Sequence, residues 1–147
     1  MPIDVVTDIV IDRPRDRVAA YATDPSNAPE WYENIESIDW KTPPPLRLGS
    51  RMDFVARFLG RRLAYTYEVV DFVPGERLVM RTAEGPFPME TTYTWTTTDG
   101  GGTRMTLGNR GQPGGFAKVG APLMASAVRR ETRKNLRQLK ALLEGKA

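Results

Sequence analysis

The chain has neither cysteine nor histidine among its 147 residues. Without cysteine there is no disulfide framework, no thiolate nucleophile and no thiolate-held metal. Without histidine there is no Ser-His-Asp relay, no histidine-ligated zinc and no imidazole general base. Acid–base chemistry is left to carboxylates, tyrosine, lysine and arginine. Only oxygen ligands remain for a metal, and no segment has the close Asp-x-Asp-x spacing of a calcium loop, so neither metal nor cofactor is expected. No run reaches the about 18 apolar residues of a membrane span, and the N-terminus lacks the basic-then-apolar layout of a signal peptide. A cytoplasmic protein without stable membrane insertion is the expectation. The net charge of +3 is too small to indicate a nucleic-acid partner.

What the chain does have is a change of period. From roughly Ser50 to Arg110 apolar and polar residues alternate, with turn residues at regular intervals. Residues 121–144, after a glycine-rich break, follow a helical period instead. The length suits a single domain over residues 1–147. At the N-terminus, Ile3, Val5, Thr7, Ile9 and Ile11 alternate with aspartates, which predicts a half-buried strand. Asp12 or Arg13 is expected to cap a short helix with Pro14 in its first turn. Thr23 or Asp24 should cap a second, with Pro25 early in it and Trp31 and Tyr32 near its end. A strand over 36–42 should stop at Pro43-Pro44-Pro45. Breaks at Gly60, Pro74-Gly75, Gly85-Pro86 and 99–102 then separate strands over 51–59, 62–73, 77–83, 89–97 and 104–110, joined as a meander.

Long twisted strands coil, and one helix cannot fill the hollow of so large a sheet. A ligand cavity of about 300–1,000 Å³ is expected there. Period two assigns Phe54, Tyr65, Tyr67 and Met80 to the inner face. Met89, Thr91, Tyr93, Trp95 and Asn109 follow on the later strands. Aromatic, methionine and hydroxyl side chains suit a binding wall, although each taken alone also suits ordinary core. On a helical wheel Ala121, Met124, Val128, Asn135, Leu139 and Leu142 form one stripe, flanked by Thr132, Leu136 and Leu143. Pro122 fits the first turn. Glu131, Thr132 and Asn135 interrupt the stripe, and inward polar groups need partners, water or a ligand. The structural alternative pairs Glu131 with an arginine at the sheet edge. Arg129, Arg133, Arg137 and Lys140 line the opposite side without interleaved aromatics, and are read as a solvated face. Gly111-Gln112-Pro113-Gly114-Gly115 lacks the Gly-Lys-Ser/Thr ending of a phosphate loop. It is read as a hinge and, with Gly85-Pro86-Phe87, as a flap over the cavity.

Several segments resemble one family: Asp24-Pro-Ser-Asn-Ala-Pro-Glu-Trp31-Tyr32, Leu48-Gly49-Ser50-Arg51, the hairpin from Glu68 through Pro74-Gly75 to Leu78, Gly102-Thr103-Arg104, and Leu139 to Glu144. Their order is similar to the START-like helix-grip superfamily (SRPBCC), in particular its bacterial polyketide cyclase/dehydrase and lipid-transport branch. The resemblance implies an α+β helix-grip fold: a seven-stranded curved antiparallel sheet, two short helices and a long C-terminal helix. It also implies a hydrophobic ligand held between sheet and helix. Trp31 matches the family's cavity-lining aromatic, and Tyr93, Trp95 and the C-terminal helix map to the wall. The expected ligand contacts are thus Trp31, the inner-face residues above, and Met124, Val128, Glu131 and Asn135. Three functions stay open, with monomer and homodimer equally allowed. One is non-enzymatic binding or transport of a lipid-like, polyketide-like or aromatic molecule. Another is a cyclase, aromatase or dehydratase using Glu131 as base and Tyr67 or Tyr93 to polarise a carbonyl. The third is an interaction module with a vestigial cavity.

Overall fold

The computed structural model describes residues 3–112 and 120–145, the side chain of Ala121 excepted. Strand β1 (Ile3–Ile11) is followed by α1 (Arg15–Thr23), a 3₁₀ turn (Pro25–Asn27) and α2 (Ala28–Trp31). Then come β2 (Ile35–Trp40), β3 (Arg51–Phe58), β4 (Arg61–Val73), β5 (Arg77–Glu84), β6 (Met89–Thr97), β7 (Thr103–Gly111) and α3 (Ala121–Glu144). The seven strands form one antiparallel sheet in the order β1-β7-β6-β5-β4-β3-β2. This is the expected α+β arrangement: a meander from β2 to β7, closed at its far edge by the N-terminal strand.

The curvature has a local cause. Strand β4 spans 13 residues, and its pairing with β5 shifts register at Thr66/Tyr67 and again at Val69/Asp71. A further shift falls between Ile35 and Ser37 on β2. Each bulge adds a residue to one strand, bends it and increases the local twist. The sheet therefore folds around its inner face, which carries the buried members of each alternating strand.

Element ends depart from the sequence expectation for identifiable reasons. β3 stops at Phe58 because Leu59 (φ 50°) and Gly60 (φ 77°) form a two-residue turn between paired Phe58 and Arg61. Two consecutive left-handed residues match the twist of the flanking strands. β2 stops at Trp40 because the amides of Lys41 and Thr42 both donate to the Arg51 carbonyl, bending the chain before the prolines. Neither Asp12 nor Arg13 caps α1: extended Pro14 holds the cap position, and its carbonyl accepts from Arg17 and Val18. Asp24 does cap the next turn, accepting from the Ser26 amide at 3.0 Å. α3 starts at Ala121 with Pro122 in its first turn and ends at left-handed Gly145. Residues 113–119, which include Pro113, Gly114 and Gly115 of the expected hinge and flap, lie outside the described residues, whereas Pro86 and Phe87 of the second expected flap line the cavity between sheet and helix.

The core is in two parts. Leu136, Leu139 and Leu143 of α3 pack with Ile11, Val18, Trp31 and the sheet interior in one cluster. Met124 and Val128, two turns earlier, pack with Ile3 and Val5 in another. The polar positions Thr132 and Asn135 lie between these halves of the helix, both buried. Where the apolar stripe is interrupted, sheet and helix do not close on each other.

Candidate ligand-binding cavity

The gap between the two clusters is a cavity of about 160 Å³. Of the residues assigned to it from sequence, Phe54, Tyr65, Tyr67, Met80, Met89, Thr91, Tyr93 and Asn109 line its sheet wall. Met124, Val128, Glu131 and Asn135 line its helix wall. Trp31 and Trp95 do not. Both are 1% exposed and stand behind Tyr93, their ring centroids each 5.9 Å from its ring. Their indole nitrogens have no hydrogen-bond partner. The neighbouring Tyr32 takes the wall position expected of Trp31, its ring tilted by 40° against the indole with centroids 4.2 Å apart. Sequence reading also passed over Asn34 and Thr82 as wall residues, whereas Thr132, read as an inward polar group of the helix, does line the wall.

The volume falls short of the 300–1,000 Å³ expected, because aromatic rings occupy the hollow of the sheet. Phe54 and Tyr65 stack at 5.6 Å and 23°, and Tyr65 meets Tyr67 edge-on at 5.0 Å. The remaining space is close to that of an apolar cavity of about 150 Å³ known to accept benzene. A second, polar cleft shares Asn34, Phe58 and Glu131 with the first and adds Glu33, Arg57 and Arg130. Glu131 thus stands where the two meet. It makes no ion pair within 4 Å among the described residues, contrary to the structural alternative. Arg57, the sheet arginine lining the same cleft, is engaged by Glu36 at 2.7 Å.

Polar groups on the wall are joined in lines. The Tyr67 hydroxyl lies 2.8 Å from Thr91 Oγ1, which donates to Asn109 Oδ1 at 2.9 Å. Asn109 Nδ2 then donates to Thr132 Oγ1 at 3.4 Å, linking β4, β6, β7 and α3. The Tyr32 and Tyr93 hydroxyls share one hydrogen bond of 2.6 Å. Asn135 accepts from the Glu33 amide at 3.1 Å and donates to Asn34 Oδ1 at 3.2 Å, tying the segment after α2 to the long helix. Among the described residues no three acidic side chains converge on a metal-binding position, and no helix is long and apolar enough to cross a membrane.

Residues 2–144 match the model of the family described as polyketide cyclase / dehydrase and lipid transport. The chain belongs to that family. No curated protein matches it. Among solved structures it is similar to a START superfamily protein from Mycobacterium smegmatis, with TM-score 0.82 and 11% identity over 98% of this chain and 99% of that one. The Zhui aromatase/cyclase from Streptomyces sp. R1128 gives TM-score 0.81 and 14% identity over 98% and 94%. A protein from Thermus thermophilus gives 0.73 and 22% over 95% and 98%. At such identities these likenesses establish the helix-grip fold.

In this family member the wall is electrically quiet. Burial pushes the Tyr67 phenol up to about 12, and raises Tyr32, Tyr65 and Tyr93 as well. The stabilising contribution of these neutral phenols is complete below the unfolded value of about 10 and is lost as pH rises through the folded values. Each tyrosine ionising only on unfolding removes about 1.4 kcal/mol per pH unit in that window. Absorbance at 295 nm should therefore show most tyrosinate forming only above about pH 11, together with loss of the far-ultraviolet dichroism. A native-state midpoint near 10 for these residues would contradict the buried arrangement.

Proposed function

We propose that the protein binds a small apolar or aromatic molecule between the sheet and α3, and that it carries or senses this molecule without transforming it. The observation that carries this reading is a wall of aromatic and methionine side chains whose polar groups are neutral hydroxyls and amides. Glu131 is the one carboxylate among the described lining residues. Such a site has orienting groups and little with which to move protons. The family and the fold support binding of a hydrophobic ligand; we place that binding in the cytoplasm, without metal or cofactor. Native mass spectrometry of freshly purified protein is expected to show a retained small molecule, or uptake of an added aromatic one. A protein that takes up neither overturns the reading.

A cyclase reading draws on one observation: among the described residues Glu131 stands without an ion pair at the edge of a cavity lined by Tyr67 and Tyr93, in a fold shared with an aromatase/cyclase. There Glu131 would act as base and a phenol would polarise a carbonyl. The Glu131→Gln variant separates the two. As a carrier, it should change affinity by roughly 1 kcal/mol, the worth of one exchanged hydrogen-bond partner, with no turnover of a polyketide mimic in either form. Measurable wild-type turnover that disappears in the variant at constant affinity favours the cyclase.

A further inference from the structure

We infer that Tyr67 sets the ligand's chemistry: the cavity selects a neutral aromatic molecule carrying a hydroxyl group, which donates its hydrogen to the Tyr67 oxygen. This rests on the ligand-binding reading above and goes further, because it follows from counting hydrogens along one line of side chains. A threonine hydroxyl has a single hydrogen. Thr91 gives it to Asn109 Oδ1. The bond between Tyr67 and Thr91 can then have only one direction, with Tyr67 as donor. The line runs Tyr67 to Thr91 to Asn109 to Thr132, and its open end is a phenol oxygen with lone pairs and no hydrogen left to give.

A ligand carbonyl or ether set against that oxygen meets lone pair with lone pair. A ligand hydroxyl completes the line, and each member polarises the next. A carboxylate fares worst. No lysine or arginine is among the described lining residues, and Glu131 adds a like charge at the edge. An unpaired anion in such surroundings is strongly disfavoured. The Tyr32–Tyr93 pair shares one hydrogen bond and so retains one hydrogen, which a hydroxyl can accept while donating to Tyr67. The volume takes one ring.

Titration calorimetry at pH 7 with benzene, phenol, anisole and benzoate tests the inference. Phenol should bind about tenfold more tightly than benzene or the methyl ether, and benzoate weakest. Tyr67→Phe should erase the preference, so that phenol and benzene bind this variant alike. Thr91→Val gives a second reading that a merely structural role would not produce. With its acceptor gone, the Tyr67 hydrogen is free for the ligand, so affinity for anisole should rise above the wild-type value. Equal binding of benzene and phenol, or tighter binding of the ether than of the alcohol by the wild type, overturns this inference alone. If none of the four compounds binds, the ligand-binding reading falls and takes the inference with it.

Discussion

Trp31→Ala is expected to lower folding stability by about 3–5 kcal/mol, the range for deleting a large buried aromatic side chain. Thermal unfolding should shift by roughly 10 °C in a domain of this size. Trp31 ends α2, is 1% exposed, and joins Tyr32, Tyr93 and the leucines of α3 in the larger core cluster. A four-residue helix has little stability of its own, so α2 depends on this ring to stay docked. Trp31→Phe should cost much less, because it keeps an aromatic ring and removes an indole N–H that has no partner. Neither the cavity wall nor its hydrogen-bonded lines include Trp31. Affinity of the phenylalanine variant for an aromatic probe should therefore stay within about twofold of wild type. Urea unfolding and probe titration on both variants measure this. A large affinity loss in Trp31→Phe at unchanged stability would put Trp31 on the ligand surface after all.

The exchange of Trp31 for Tyr32 at the wall illustrates what a linear pattern can and cannot carry. Along β6, and along β4 as far as its bulge after Val69, the side chains alternate faces, so Tyr65 and Tyr67, or Thr91 and Tyr93, are assigned inward by parity alone. Strand residues of the expected site accordingly lie on the cavity wall, Trp95 excepted. Its face is right, but its position along β6 lies past the cavity, behind Tyr93. A four-residue helix has too few turns for any periodic signal. Which of its last residues faces the cavity depends on how α2 is rolled, and Asn135 fixes the chain just after it through the Glu33 amide and Asn34. That bond links positions about a hundred residues apart. The same holds for Glu131: the arginine beside it is committed to Glu36 across the β2–β3 pair, a competition visible only once register is known. Volume is the least legible property, since it depends on how the rings of Phe54, Tyr65 and Tyr67 stack on one another and not on which face they occupy.

Ala56→Phe is expected to abolish uptake of an aromatic ligand, weakening it by about 100-fold or more. Ala56 is 3% exposed at the sheet wall and lines the cavity, between Ile35 on β2 and Leu63 on β4. A phenyl ring at this position enters a space of about 160 Å³, close to the about 150 Å³ that accommodates one benzene. The side chain would thus be an attached ligand occupying the site at unlimited effective concentration. Inserting bulk into a filled core costs about 1–3 kcal/mol, but here the ring meets a void and gains dispersion contacts with Phe54, Tyr65 and Met80. Melting temperature should accordingly hold or rise while binding is lost. Ala64→Phe is the matched control, because Ala64 is exposed on the opposite face of β4. It should leave affinity unchanged. A molecule bound elsewhere, in the polar cleft by Arg130 or on the outer sheet face, would bind Ala56→Phe as well as wild type, and that result would remove the cavity from the function of this protein.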